Sequence, residues 1–204
     1  TITGTWTINS YTLIIAFANN AREHGLAFTT NEVEVPYGAL LKDYLPDVPD
    51  VLADNAAYQG KYSFDYWYTN DSVTGVDLET VTMPATNTII RANYSYTGWD
   101  IRQSGKMFVN NNTLQGGWIC VNDNNELVTD GSGNWYYGED TFDVVTGVSR
   151  VPYPTEAING VTYAPDPNET QYGDKYGYTD ATTALFVFDE NGVFQSELNG
   201  KYMG

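Results

Sequence analysis

The sequence predicts a mainly β protein built from two tandem domains. Three observations carry that reading. Large aromatics alternate with polar residues in Tyr62-Ser63-Phe64-Asp65-Tyr66, and a period of two is the spacing of side chains on one face of a strand. Clusters such as Asn110-Asn111-Asn112, Asn122-Asp123-Asn124-Asn125 and Asp189-Glu190-Asn191-Gly192 punctuate the second half, and that composition belongs to turns. Tyr occurs 17 times, and its ring packs while its hydroxyl stays wet, which suits half-buried sheet faces.

Taken in order, residues 1–6 are rich in Thr and Ile and end in Trp6, much as 88–94 end in Tyr94. A polar segment and a further Tyr follow each, so residues 1–7 read as the last strand of a preceding repeat. Residues 11–17 form an apolar strand, and 18–26 are small and polar, with His24. Glu32-Val33-Glu34-Val35 alternates as a short strand, and Pro36-Tyr37-Gly38 turns the chain. Leu41 and Leu45 have helical spacing, which predicts a short helix over 39–45, ended by Pro46 and Pro49. Residues 51–60 read as a weakly structured connection. The strand that opens at Tyr62 carries rings on both faces, because Trp67 falls with Ser63 and Asp65. Thr69-Asn70-Asp71-Ser72 turns the chain, and 88–94 form the closing strand.

From Gly98 onward short aromatic runs alternate with turns. The runs are Gly105-Lys106-Met107-Phe108-Val109, Gly117-Trp118-Ile119-Cys120-Val121, Gly133-Asn134-Trp135-Tyr136-Tyr137 and Leu185-Phe186-Val187-Phe188. Gly160-Val161-Thr162-Tyr163 is a further candidate. Asn191-Gly192 before Val193-Phe194 is a strong hairpin signal. Short hairpins bury little surface alone, so a series of them must stack.

The net charge of −17 repels phosphate backbones and anionic lipid, which argues against nucleic acid and membrane surfaces as partners. No stretch approaches the roughly 18 apolar residues of a spanning helix. Cys120 is the only cysteine, so no intrachain disulfide staples the fold. The first residue is Thr rather than Met, and the expectation is a monomeric piece of a longer chain.

Reactive groups are sparse. His24 lacks a Ser, Cys or Asp pattern beside it and reads as a surface loop residue. Cys120 sits in an apolar run and reads as a small core residue. The oxygen-rich loops Asp123-Asn124-Asn125 and Asp130-Gly131-Ser132-Gly133-Asn134 lack the order of a calcium loop and read as turns. Catalytic residues, metal ligands and cofactors are therefore not expected.

Two resemblances follow from the motifs. Val35-Pro36-Tyr37-Gly38, Leu41 with Leu45-Pro46, Tyr62-x-Phe64-x-x-Trp67-Tyr68 and Met83-Pro84-Ala85 resemble the Listeria–Bacteroides repeat, the β-grasp-like B-repeat of internalin-type surface proteins, over about 8–94. Gly117-Trp118, Gly133-Asn134-Trp135-Tyr136-Tyr137 and Phe186-Val187-Phe188-Asp189-Glu190-Asn191-Gly192 resemble choline- and glucan-binding cell-wall repeats, in degenerate form, over about 98–204. The first implies a β-grasp-like domain over 8–97; the second implies stacked β-hairpins over 98–204. The second also implies that Trp118, Trp135 and Tyr137 line an aromatic cage for choline, a wall polymer or a glycan. A quaternary ammonium there would gain about 0.5–2 kcal/mol per ring. The alternative is that these rings only pack across strands. The resemblances together imply a non-catalytic spacer and attachment module, secreted or wall-associated, of a bacterial surface protein. The alternative function is an ancillary C-terminal region of a large secreted glycosidase or peptidase.

Overall fold

The computed structural model describes Gly4 and residues 7–17, 30–69, 74–165 and 182–198. The expected strand at 1–6, apart from Gly4, lies outside these residues, as do His24 and most of the Thr69-Asn70-Asp71-Ser72 turn. The protein is mainly β, with eleven strands and one short 3-10 turn among the described residues. The chain divides into two compact units, Thr1–Ala53 with Lys61–Tyr96, and Asp54–Gly60 with Thr97–Gly204.

In the first unit, β1 (Ser10–Phe17) pairs antiparallel with β2 (Asn31–Pro36), Leu13 facing Val33. On its other side β1 runs parallel to β5 (Thr88–Arg102), from Leu13 opposite Thr88 to Phe17 opposite Ala92. Next to β5 come β4 (Tyr58–Thr69) and then β3 (Val51–Asp54), giving the order β2-β1-β5-β4-β3. Alternate residues Ile90, Ala92, Tyr94 and Tyr96 of β5 are buried, with Leu13 and Ile15 of β1. That is the period-two burial expected of a strand with one face in a core. Rings link β4 to β5: Tyr62 and Tyr96 lie 4.9 Å apart, and Phe64 meets Tyr94 at 6.2 Å. Asp65 accepts hydrogen bonds from the Asn93 amide and the Ser95 hydroxyl across the same pair.

Two local expectations are corrected. The helix expected over 39–45 is a single 3-10 turn, Leu41–Tyr44. Its backbone is drawn into a ladder instead: Leu40 bridges Thr82, and the Leu41 N–H donates to the Val81 carbonyl. Leu41 is fully buried, so apolar burial decides its place and four residues are too few to sustain an α-helix. Residues 51–60 are not a loose connection but β3, a turn and the start of β4. The Asn55 side-chain oxygen accepts the N–H groups of Ala57 and Tyr58, each at 2.8 Å, and so closes the turn. A side chain bonding to the backbone two residues on is the Asx device.

In the second unit, β6 (Gly105–Asn110) pairs antiparallel with the end of β5 and, through Asn111-Asn112, with β7 (Thr113–Gln115). Both Asn residues have positive φ, at 47° and 61°, as a tight hairpin turn of this hand requires. β8 (Gly117–Val121) pairs with β9 (Asn134–Gly138), and β10 (Gly147–Pro152) with β11 (Thr183–Phe188), all antiparallel. The runs in β8, β9 and β11 each turn back locally, through the antiparallel bridges Val121–Leu127, Gly138–Val144 and Phe188–Phe194. In addition β8 and β9 pair with each other across a longer connection, and among the described residues the run at 160–163 contributes the bridge Ile158–Val161.

The β8–β9 pair stands between two cores. Ile119, Val121 and Tyr136 pack on one face with Trp99, Phe108 and Val144. On the other face Trp118, Trp135 and Tyr137 pack against Val145, Val151, Ile158, Phe186, Phe188 and Phe194. Strict alternation in both strands builds both cores at once. Val144 and Val145, adjacent in sequence, serve opposite sides for the same reason. At Gly133 a Cβ would lie 2.3 Å from the Val121 carbonyl oxygen; only glycine permits that approach, directly before β9.

Candidate functional site

The three residues expected to form a cage stand on one face of β8–β9. Trp118 is directly opposite Tyr137, and Trp135 is opposite Cys120. Trp118 and Tyr137 meet edge to face at 5.6 Å. All three are half-buried.

Trp118 is enclosed on several sides. Its ring lies 5.1 Å from Phe186, 5.7 Å from Phe188 and 5.4 Å from Phe194. Its indole N–H donates to the Pro152 carbonyl at 2.7 Å. Tyr153 and Tyr163 extend the cluster, each within about 6 Å of Phe186. Aromatic pairs of this kind contribute about 0.5–1.5 kcal/mol each beyond area burial. Trp135 differs: its indole nitrogen is buried with no hydrogen-bond partner among the described residues. The hydroxyls of Tyr137 and Tyr163 are held above the ordinary tyrosine value by burial; for Tyr137 the carboxylates of Asp140 and Glu139 add to it.

A cation does sit over aromatic rings in this unit, and it belongs to the protein. The Lys106 ammonium lies 4.2 Å from the centre of the Trp99 ring and 4.6 Å from that of Tyr136. Burial lowers its pKa, opposed by the carboxylate of Asp189. The sequence gives little sign of this pairing, because Lys106 and Tyr136 are joined only by strand packing. The Phe residues around Trp118 were legible as strand residues but not as its neighbours, for the same reason.

Cys120 is buried and reduced. Burial pushes its thiol up, while a hydrogen bond from the Gly133 amide works the other way. The oxygen-rich loops spend their side chains on turns. Asn122 Oδ1 accepts the N–H groups of Asn124 and Glu126, and Asp130 Oδ1 accepts that of Ser132. Among the described residues no three or more His, Cys, Asp and Glu side chains come together to hold a metal ion. Among them, too, no helix is long and apolar enough to cross a membrane.

The fold and the site thus define a mainly β protein whose second unit is layered around aromatic side chains. Comparison of the chain with family models, curated proteins and solved structures finds no match.

Proposed function

We propose that this chain is a non-catalytic module of a secreted or cell-surface bacterial protein. In this reading its first unit is a β-grasp-like repeat of the Listeria–Bacteroides kind, and its second a degenerate wall-binding repeat region. The module spaces or displays a neighbouring domain and attaches it to a wall polymer, choline or a glycan. The observation that carries the reading is the junction of two distant motifs. The Gly38 N–H donates to the Met83 carbonyl and the Met83 N–H to the Ala39 carbonyl, both at 2.9 Å. Pro36-Tyr37-Gly38 and Met83-Pro84-Ala85, the motifs of the resemblance, are therefore bonded to one another through the backbone. The parallel pairing of β1 with β5, flanked by β2 and β4, supports the same reading.

For attachment, the half-exposed edges of Trp135 and Tyr137 are the surfaces offered, since Trp118 is engaged on several sides. Calorimetric titration of the full chain with choline, soluble glucan and wall polymer tests this. Binding that Tyr137→Ala abolishes without unfolding supports attachment. Silence towards all three ligands reduces the role to spacing. Turnover of a glycan or peptide by the chain overturns the reading as a whole.

A further inference from the structure

We propose that the first unit is a tension-bearing clamp, an inference that rests on the spacer reading and adds a mechanical property to it. The first and last described strands of this unit, β1 and β5, are parallel neighbours, in register from Leu13–Thr88 to Phe17–Ala92. Among the described strands of this unit, β1 is the first along the chain and β5 the last. Tension along the chain therefore draws β1 backwards and β5 forwards, in opposite directions along their common axis. The evenly spaced bonds of a parallel ladder then share the load and must yield together. Pulling the same two strands apart from one end would break those bonds singly. Rupture under load follows the unfolding barrier rather than the equilibrium stability, so direction alone changes the resistance.

Two features reinforce the pair. The Thr12 N–H donates to the Asn87 side-chain oxygen at 3.0 Å, which adds a bond just before the ladder begins. The ladder is also central rather than at an edge, with β2 bonded to the far side of β1 and β4 to the far side of β5.

The test is single-molecule pulling on the full chain from two pairs of attachment points. Asn9, Gln103 and Thr86 are exposed and can carry handles. Handles at Asn9 and Gln103 load β1 and β5 in shear; handles at Asn9 and Thr86 peel them from one end. The expected result is a rupture force several-fold higher in the first geometry, with a length gain of about 300 Å as the unit unravels. Asn87→Ala lowers the shear force, and the shear force stays well above the peeling force. Equal forces in the two geometries overturn the clamp but leave the spacer reading standing, because a spacer need not resist load. Catalytic turnover by the chain would remove the spacer reading without altering the force ratio.

Discussion

Trp118 and Pro152 are joined by a hydrogen bond of 2.7 Å from the indole N–H to the carbonyl oxygen, across 34 positions of sequence. This bond ties β8 to the last residue of β10. The same indole packs on Phe186 and Phe188 of β11. One side chain thus fastens the β10–β11 pair to the β8–β9 pair by both polar and apolar contact.

The two tryptophans of this face should respond in opposite ways to the same substitution. Trp118→Phe deletes a satisfied donor, at a cost of about 0.5–1.5 kcal/mol. Trp135→Phe removes an N–H that is buried and has no partner among the described residues, so the change is within about 0.5 kcal/mol or stabilising. Urea unfolding of both variants measures the difference. Equal losses would contradict these assignments.

Lys106 lies over Trp99 and Tyr136 by virtue of its stem as much as its charge. Lys106→Ala removes both the aliphatic cover and the cation–π contact and should cost about 1–2 kcal/mol. Lys106→Met keeps the cover and relieves a partly desolvated charge, so it should stay within about 1 kcal/mol of the parent. Thermal melts followed by near-ultraviolet circular dichroism compare them. A larger loss for Met than for Ala would show that the charge dominates.

Alkaline pH should loosen the protein. Burial holds Tyr94, Tyr136, Tyr137 and Tyr163 above the ordinary tyrosine value. A phenol whose folded-state pKa is raised contributes stability that is present below its unfolded value, about 10. That contribution is lost as pH rises through the folded value, because only the unfolded chain ionises freely. Lys106, lowered by burial, acts oppositely: its penalty fades as pH rises towards its unfolded value, about 10.4. Four phenols outweigh one amine, so stability should fall above roughly pH 10. Urea midpoints across the alkaline range check this, and the tyrosinate absorbance should show a group of phenols titrating late. A flat profile would mean that these hydroxyls are hydrated.

Gly192 occupies a turn at φ +76°, where a Cβ would come within 2.3 Å of the Val144 side chain and 3.0 Å of the Val145 carbonyl oxygen. The Asp189 carboxylate already fixes this turn by accepting the Asn191 and Val193 N–H groups. Gly192→Ala should therefore cost about 2–4 kcal/mol, combining conformational strain with a core clash. Equilibrium unfolding that shifts by less than about 1 kcal/mol would show that the turn can relax.

The β class was legible because alternation and turn chemistry are local. Tyr62, Phe64 and Tyr66 declare a strand without reference to any partner, and Asn191-Gly192 declares its turn. Pairing was less legible. Nothing within Gly117-Trp118-Ile119-Cys120-Val121 says that its partner begins at Asn134, because the choice depends on which faces must be buried on both sides. The turn at Asn55 was missed because a single Asn between two Ala-containing runs carries little signal. The short helix was misread because Leu41 and Leu45 fit a helical stripe, while the bonds to Val81 and Met83 come from a distant segment. For the candidate site, the sequence brought Trp118 and Tyr137 together but could not supply Phe186, Phe194 or Pro152 around them.

The unfolding free energy of Trp118→Ala, read together with its ligand titration, addresses the central proposition most directly. If the rings chiefly hold the layers of the second unit together, truncation should cost about 3 kcal/mol or more and lower the melting temperature of that unit. A loss under about 0.5 kcal/mol, accompanied by disappearance of choline or glycan binding in a folded protein, would contradict it. That result would make Trp118 a contact for ligand rather than for its own fold.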